Sequence, residues 1–183
     1  MNITILNSDR DKNNTHIEQF LNEYSKKLIS KGNEIEVFNL AQMRISYCVG
    51  CFDCWLKTPG YCRFRDDMEN IYRQILKTNI FIFLTHLKMG FIDSLAKKMN
   101  DRLIPLLLPY IKLYKGEAHH YLRYGKLPAF GLIMQPEPDT DREDIEIVNH
   151  IYRRFSLNLQ TKFAFSRLTT DPIEEIIDET GNI

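Results

Sequence analysis

Asn79-Ile-Phe-Ile-Phe-Leu84 is apolar on both of its alternating sets of side chains. A strand half open to water cannot afford that pattern; a central strand of a parallel sheet, covered on both faces, requires it. Such a sheet needs a helix layer on each side, so helical segments are expected on either flank. Upstream, Met68, Ile71 and Ile75 recur at helical spacing behind Asp66-Asp67, a pair placed to cap that helix and favour its dipole. Downstream, Thr85 to Gly90 reads as the turn after the strand. Leu95, Met99 and Leu103 then mark a further helix running to about Pro105 or Pro109.

The same alternation holds along the chain. Asn2 to Leu6 is a β-branched apolar run with the profile of a buried strand, and Asn7 to Thr15 is a polar loop rich in turn residues. Ile17, Phe20, Leu21, Tyr24 and Leu28 form one helical face, closed by Lys31-Gly32-Asn33 with glycine at a helix C-terminus. Glu34 to Leu40, with Ile35 and Val37 on one side, is the second strand. Leu127 to Gln135 is the fourth, ended by Pro136 and Pro138, and Lys162 to Phe165 is a short fifth. Ile145, Val148, Tyr152 and Phe155 give a helix between those two, and Pro172 opens a last helical segment near Ile176. The aromatic and basic stretch from Tyr110 to Lys126 reads as a long surface connection. Strands alternating with helices imply an open α/β parallel sheet with helices on both faces. Five strands predict a flavodoxin-like three-layer fold of order 2-1-3-4-5, one domain over residues 1–183. Ligands of such sheets bind beyond the C-terminal ends of the strands, where the order reverses.

Composition narrows the function classes. In 183 residues, 24 Lys and Arg balance 24 Asp and Glu, so there is no basic footprint for nucleic acid. Near-zero charge leaves self-association unopposed, and a homo-oligomer is expected. The first residues carry no basic stretch followed by a long apolar one, so no signal peptide is expected. The apolar runs Ile80 to Leu84 and Leu106 to Leu108 are too short to span a bilayer. A cytoplasmic protein without membrane partners is the expectation, and in that compartment clustered cysteines point to metal or redox chemistry.

Two stretches carry chemistry. The loop from Asn7 to Thr15 sets backbone N–H groups and a positive helix end at one point, which suits a phosphate; Ser8, Asn14 and Thr15 add donors and Arg10 adds charge. Ser, Asn and Thr also occur at helix starts for capping alone. All four cysteines lie in Cys48-Val-Gly-Cys51-Phe-Asp-Cys54-Trp-Leu-Lys-Thr-Pro-Gly-Tyr-Cys62, a C-x2-C-x2-C-x7-C spacing. Three readings compete: a [4Fe–4S] cluster, structural zinc, or no metal with thiol redox function.

Read together, Ser8-x-Arg10-x-x-x-Asn14-Thr15, Cys48-x-Gly50-Cys51-x-x-Cys54, Asp66-Asp67-Met68 and Asp101-Arg102 resemble the NADPH-dependent FMN reductase family, and within it the iron-sulfur flavoprotein branch. The resemblance covers about residues 1 to 109 with specific motifs. It implies FMN held by Ser8, Arg10, Asn14 and Thr15 at the phosphate and by the segment Thr85, His86, Leu87, Lys88, Met89 and Gly90 at the ring. It also implies Cys48, Cys51, Cys54 and Cys62 around a [4Fe–4S] cluster, NAD(P)H as electron donor, and a homodimer or homotetramer. The implied electron acceptor is a small molecule or a protein. No side chain is expected to act as a catalytic nucleophile or base, because flavin chemistry needs position and charge. The family commonly has Ser/Thr-Pro-x-Tyr-x-Gly where this chain has Thr85-His86-Leu87-Lys88-Met89-Gly90. The alternative function is therefore a non-enzymatic thiol- or metal-sensing protein with a degenerate flavin site.

Overall fold

The computed structural model describes residues 1–10 and the backbone from residue 15 onward. The elements are, in order, β1 (Asn2–Asn7), α1 (Thr15–Ser30), β2 (Glu34–Asn39), α2 (Asp53–Leu56), α3 (Met68–Ile75), β3 (Ile80–Lys88), β4 (Phe91–Ile92) and α4 (Ser94–Asp101). They continue with β5 (Leu107–Tyr114), β6 (Glu117–Leu122), β7 (Ala129–Gln135), α5 (Arg142–Asn158), β8 (Phe163–Leu168) and α6 (Ile173–Gly181).

The main sheet runs β2-β1-β3-β7-β8 with every neighbouring pair parallel. With β7 and β8 as fourth and fifth strands, this is the 2-1-3-4-5 order read from the sequence. Its central strand shows why the apolar run fixes the architecture. Ile80, Ile82 and Leu84 enter one core with Ile17, Tyr24 and Leu28 of α1 and Ile176 and Ile177 of α6. Phe81 and Phe83 enter the opposite core with Met68, Ile71 and Ile75 of α3, Met99 of α4, and Val148 and Tyr152 of α5. The period of two along one strand thus serves both helix layers. In the second core the Phe83 and Tyr152 rings meet edge to face at 5.6 Å. Such aromatic pairs add about 0.5–1.5 kcal/mol beyond area burial.

Gly131 on β7 has a steric reason. A Cβ there would lie 2.5 Å from the Phe165 ring of β8, so the two strands pair closely only with glycine. At the start of α5, Asp141 accepts from Asp144 N at 2.9 Å and Asp144 returns a bond to Asp141 N at 3.1 Å, a reciprocal cap.

Two expectations are corrected. Thr85 to Gly90 is not a turn after β3: the strand continues to Lys88, because Leu87 is buried in the second core and pairs with Ile92 of β4. The turn is Met89-Gly90, with φ of 52° and 72°, the two positive values that a tight hairpin demands. Tyr110 to Lys126 is not simply a connection. It holds an antiparallel hairpin, β5–β6, turned by Lys115-Gly116 with φ of 52° and 82°. Within the hairpin His119 is buried, its Nδ1 3.0 Å from Asn158 Oδ1 and its Nε2 3.2 Å from Glu117 Oε2. Among the described residues no helix is long and apolar enough to cross a membrane.

Candidate functional site

At the C-terminal ends of β1 and β3 lies a cavity of about 760 Å³, lined by Ser8, Arg10, His86, Lys88, Asp93 and Lys97 among others. That volume is usual for a small-molecule or cofactor site. Asp93 organises it. One carboxylate oxygen caps α4, accepting from Leu95 N at 2.7 Å and Ala96 N at 3.0 Å. The other accepts from the Ser8 hydroxyl, from Thr85 Oγ1 at 2.8 Å and from His86 N at 3.3 Å. The ends of two strands and the start of a helix are thereby tied to one buried anion.

The residues predicted for a phosphate and a ring divide on this frame. Ser8 is buried, and its hydroxyl is satisfied by Asp93 and by the Leu84 carbonyl at 3.3 Å. Arg10 lines the cavity and donates to Ser94 Oγ at 3.0 Å. Asn14 and the side chain of Thr15 lie outside the described residues. Thr85 is buried beneath the cavity floor. His86 sits between two carboxylates, Nε2 3.0 Å from Asp9 Oδ1 and Nδ1 3.4 Å from Glu137 Oε1. Lys88 reaches the same Glu137 at 2.7 Å. Leu87 belongs to the core, Met89 is fully exposed, and a Cβ on Gly90 would meet the Asp144 carboxylate at 2.6 Å. Ser8, Arg10, Thr85, His86 and Lys88 are thus brought together, and Leu87, Met89 and Gly90 are not. Asp93 and Glu137 were not singled out from the sequence, although Asp93 before Ser-Leu-Ala is a legible cap.

The cysteine loop leaves the C-terminal end of β2, the same sheet edge. Its entry is pinned by the Asp66-Asp67 pair, which was expected to cap α3; Asp67, at the N-cap, makes no side-chain cap bond there, and both carboxylates turn to the loop instead. Asp67 Oδ2 accepts from Arg44 N at 2.7 Å, and Asp66 Oδ2 accepts from Ser46 N at 2.9 Å. Arg102 then clasps Asp66 with two bonds of 3.0 Å and donates to the Ser46 carbonyl at 2.7 Å. Both side chains are almost wholly buried. Burial alone would raise the Asp66 carboxyl, but the bonds from Arg102 and Ser46 outweigh it and hold the carboxyl below its ordinary range. Asp101, adjacent in sequence, pairs instead with Lys97. Inside the loop, Gly60 N donates to the Cys54 carbonyl at 2.9 Å, and Trp55 Nε1 donates to the Leu107 carbonyl at 2.9 Å.

All four cysteines are free thiols and line one cavity of about 30 Å³, with Phe64 and Arg102 in its wall. That is room for about one water. Burial first, and then the neighbouring thiols of Cys62, Cys48 and Cys51, push Cys54 up to about 11. The donor set is the one a four-thiolate iron centre takes. In its present spacing it is not a ligand sphere: among the described residues no three His, Cys, Asp or Glu stand so as to hold a metal ion.

A flavodoxin-like sheet with a cavity of mixed charge and a four-thiol loop on one edge is the class that fold and site define. No protein-family model matches the chain. An iron-sulfur flavoprotein of Archaeoglobus fulgidus is 29% identical over 126 residues, covering 68% of this chain and 56% of that protein. One of Methanocaldococcus jannaschii is 29% identical over 98 residues, covering 54% of this chain and 49% of its own. These similarities bear out the resemblance read from the motifs, and the chain spans about half the length of these curated relatives. Among solved structures, an NAD(P)H:quinone oxidoreductase of Methanothermobacter marburgensis superposes with a TM-score of 0.63 at 14% identity, over 97% of this chain and 93% of that one. An FMN-dependent NADH-azoreductase of Bacillus anthracis in complex with FMN gives 0.58 at 17% identity, over 100% and 95%. The fold is flavodoxin-like.

Proposed function

We propose that the chain is an FMN-dependent NAD(P)H oxidoreductase of iron-sulfur flavoprotein type, whose cysteine loop carries electrons onward to a small-molecule or protein acceptor. The observation that carries this reading is a juxtaposition. A cofactor-sized cavity, lined by Arg10, Lys88 and Lys97 together with Asp9, Asp93 and Glu137, opens on the sheet edge from which a loop brings four free thiols around one hollow. The names of the iron-sulfur flavoprotein relatives, and of the FMN-dependent structural neighbour, support it.

Arg10, Lys88 and Lys97 suit a ligand that carries a phosphate and gains negative charge on reduction. Ser8 fits less well, because its hydroxyl is already used by Asp93. His86 would hold or move a proton at Nε2 or Nδ1, its partners being Asp9 and Glu137. FMN, when bound, accepts a hydride as an electron pair and releases electrons singly. Cys48, Cys51, Cys54 and Cys62 would hold the [4Fe–4S] cluster. Burial first, and then repulsion from the neighbouring thiols, raises Cys54, and a cationic centre among these sulfurs would offset the repulsion. Exposed Leu56, Ile111 and Leu113 support a homodimer or homotetramer.

A visible spectrum of protein purified without oxygen tests the reading. Two flavin bands, a broad shoulder bleached by dithionite and about four iron per chain are expected. Cys48→Ser should lose iron and keep flavin. Colourless protein that takes up neither added FMN nor iron sinks the proposal. The bonded state of Ser8 and the hairpin at Met89-Gly90 favour a second reading, a thiol- or metal-sensing protein without flavin. Iron or reversible disulfide in a chain that rejects FMN would select it.

A further inference from the structure

A second hollow, of about 570 Å³, opens between the cysteine loop, the end of α4, the β5–β6 hairpin and the last turn of α5. It is not part of the cavity at β1 and β3. It shares Cys48, Gly50 and Phe52 with the thiol cavity, so whatever fills it lies against the cysteine loop.

Four rings stand in its wall, those of Phe52, Trp55, His120 and Phe155. Phe52 and Trp55 stack with centroids 5.3 Å apart and planes 25° apart, and Trp55 meets the His120 ring at 4.8 Å. Phe155 of α5 and Leu103 also line it. Trp55 is fixed in its plane by the bond to the Leu107 carbonyl.

Phe52 is the outlier. Its φ of 56° places a bulky residue in the left-handed region, and 47% of it is exposed. Both conditions are unfavourable for phenylalanine, and such strain is concentrated at ligand sites. Two wall residues keep a buried polar atom without a partner, Asn100 Oδ1 and His120 Nδ1. Buried polar groups are normally satisfied, and here the missing partners belong to residues of one hollow. A mostly apolar, aromatic site of this volume with a few polar groups is the profile of a small-molecule pocket.

We propose that this hollow binds a planar quinone or quinol, its ring against Phe52 and Trp55 and its carbonyl or hydroxyl edge completing His120 and Asn100. A carbonyl accepts from an imidazole N–H, a hydroxyl donates to an amide oxygen, and a quinone–quinol pair presents one or the other in its two states. Occupancy of the hollow does not depend on flavin or iron. Only its role as the place where an acceptor meets the cysteine loop rests on the function proposed above.

Trp55 is the sole tryptophan of the chain, so its fluorescence reports this hollow directly. The probe is duroquinone, whose fully methylated ring does not add thiols, titrated into protein free of flavin and iron. Saturable quenching is expected, weakened about tenfold by Phe52→Ala through loss of one ring contact. Asn100→Leu should weaken the hydroquinone form more than the quinone. Lys88→Ala, in the other cavity, should leave the titration unchanged. Strictly linear, collisional quenching would overturn the proposal. So would equal affinity in wild type and Phe52→Ala, or loss of binding in Lys88→Ala. Phe52 is half exposed, and a circular dichroism spectrum of Phe52→Ala matching wild type separates weakened binding from a disturbed fold. A positive titration in protein that never takes up FMN or iron would sink the redox reading and leave the site standing.

Discussion

Replacing Arg102 by methionine is expected to destabilise the protein through the carboxylate it leaves behind. Arg102 makes two bonds of 3.0 Å to Asp66 and one of 2.7 Å to the Ser46 carbonyl, and is 2% exposed. Removing one member of a buried ion pair costs about 3–5 kcal/mol, mostly the penalty of an unpaired buried charge. Asp66 keeps N–H bonds from Ser46 at 2.9 Å and from Met68 at 3.3 Å, which places the cost near the lower end, about 3 kcal/mol. Urea unfolding followed by Trp55 fluorescence reads it. With a slope of about 2 kcal/mol per molar, the midpoint falls by about 1.5 M. The double variant Asp66→Asn, Arg102→Met should recover at least half of that loss, because no charge is left to bury. The pH dependence follows the same pair. A carboxyl held below its ordinary value of 3.8 adds stability that is complete above that value and lost as pH falls through the lowered one. Wild type should therefore lose stability below about pH 4, and Asp66→Asn should show a shallower acid limb. A cost under about 1 kcal/mol for Arg102→Met would refute the assignment of the pair as a buried clasp.

Other perturbations test other parts of the molecule. Gly131→Ala sets a Cβ 2.5 Å from the Phe165 ring and should cost about 1–3 kcal/mol; a neutral result would mean β7 and β8 do not approach as closely as described. Asp93→Ala removes the cap of α4 and the carboxylate that the Ser8 and Thr85 hydroxyls bond, leaving each only a carbonyl at 3.3 Å, for about 2–4 kcal/mol in total. Its Tm should fall by roughly 6–12 °C, and a change of under 2 °C would contradict the bonding scheme. Cys54 should be the slowest of the four thiols to alkylate at pH 8, its rate still rising toward pH 11, and mass mapping of labelled peptides checks that order.

The sheet was legible because its central strand is apolar on both faces, a pattern that excludes any half-exposed sheet. Helix faces followed from spacing alone, as with Ile17, Phe20, Tyr24 and Leu28, all buried against the sheet. What escaped were the hairpins. Met89-Gly90 and Lys115-Gly116 both put a long side chain at a positive φ next to glycine, where turn chemistry usually shows Asn or Asp. The site was legible in its residue types and less so in their partners. Arg102 was seen beside Asp101, yet it bonds Asp66, 36 residues away, because a helix end carries neighbours in different directions. Asp93 was overlooked because one acid before a helix reads as a cap, and only the sheet shows that it also joins two strands.

The β5–β6 hairpin touches the main sheet only through its surroundings, and a lone two-stranded ribbon is marginal in water. It is held by the cysteine loop, through Trp55 Nε1 on the Leu107 carbonyl and Arg123 on the Cys54 carbonyl, and by α5, where Asn158 meets His119 at 3.0 Å and Arg154 pairs with Glu117. Loop and ribbon therefore form one cooperative patch that can open while the five parallel strands stay shut. Amide hydrogens of the two should exchange together and ahead of the sheet.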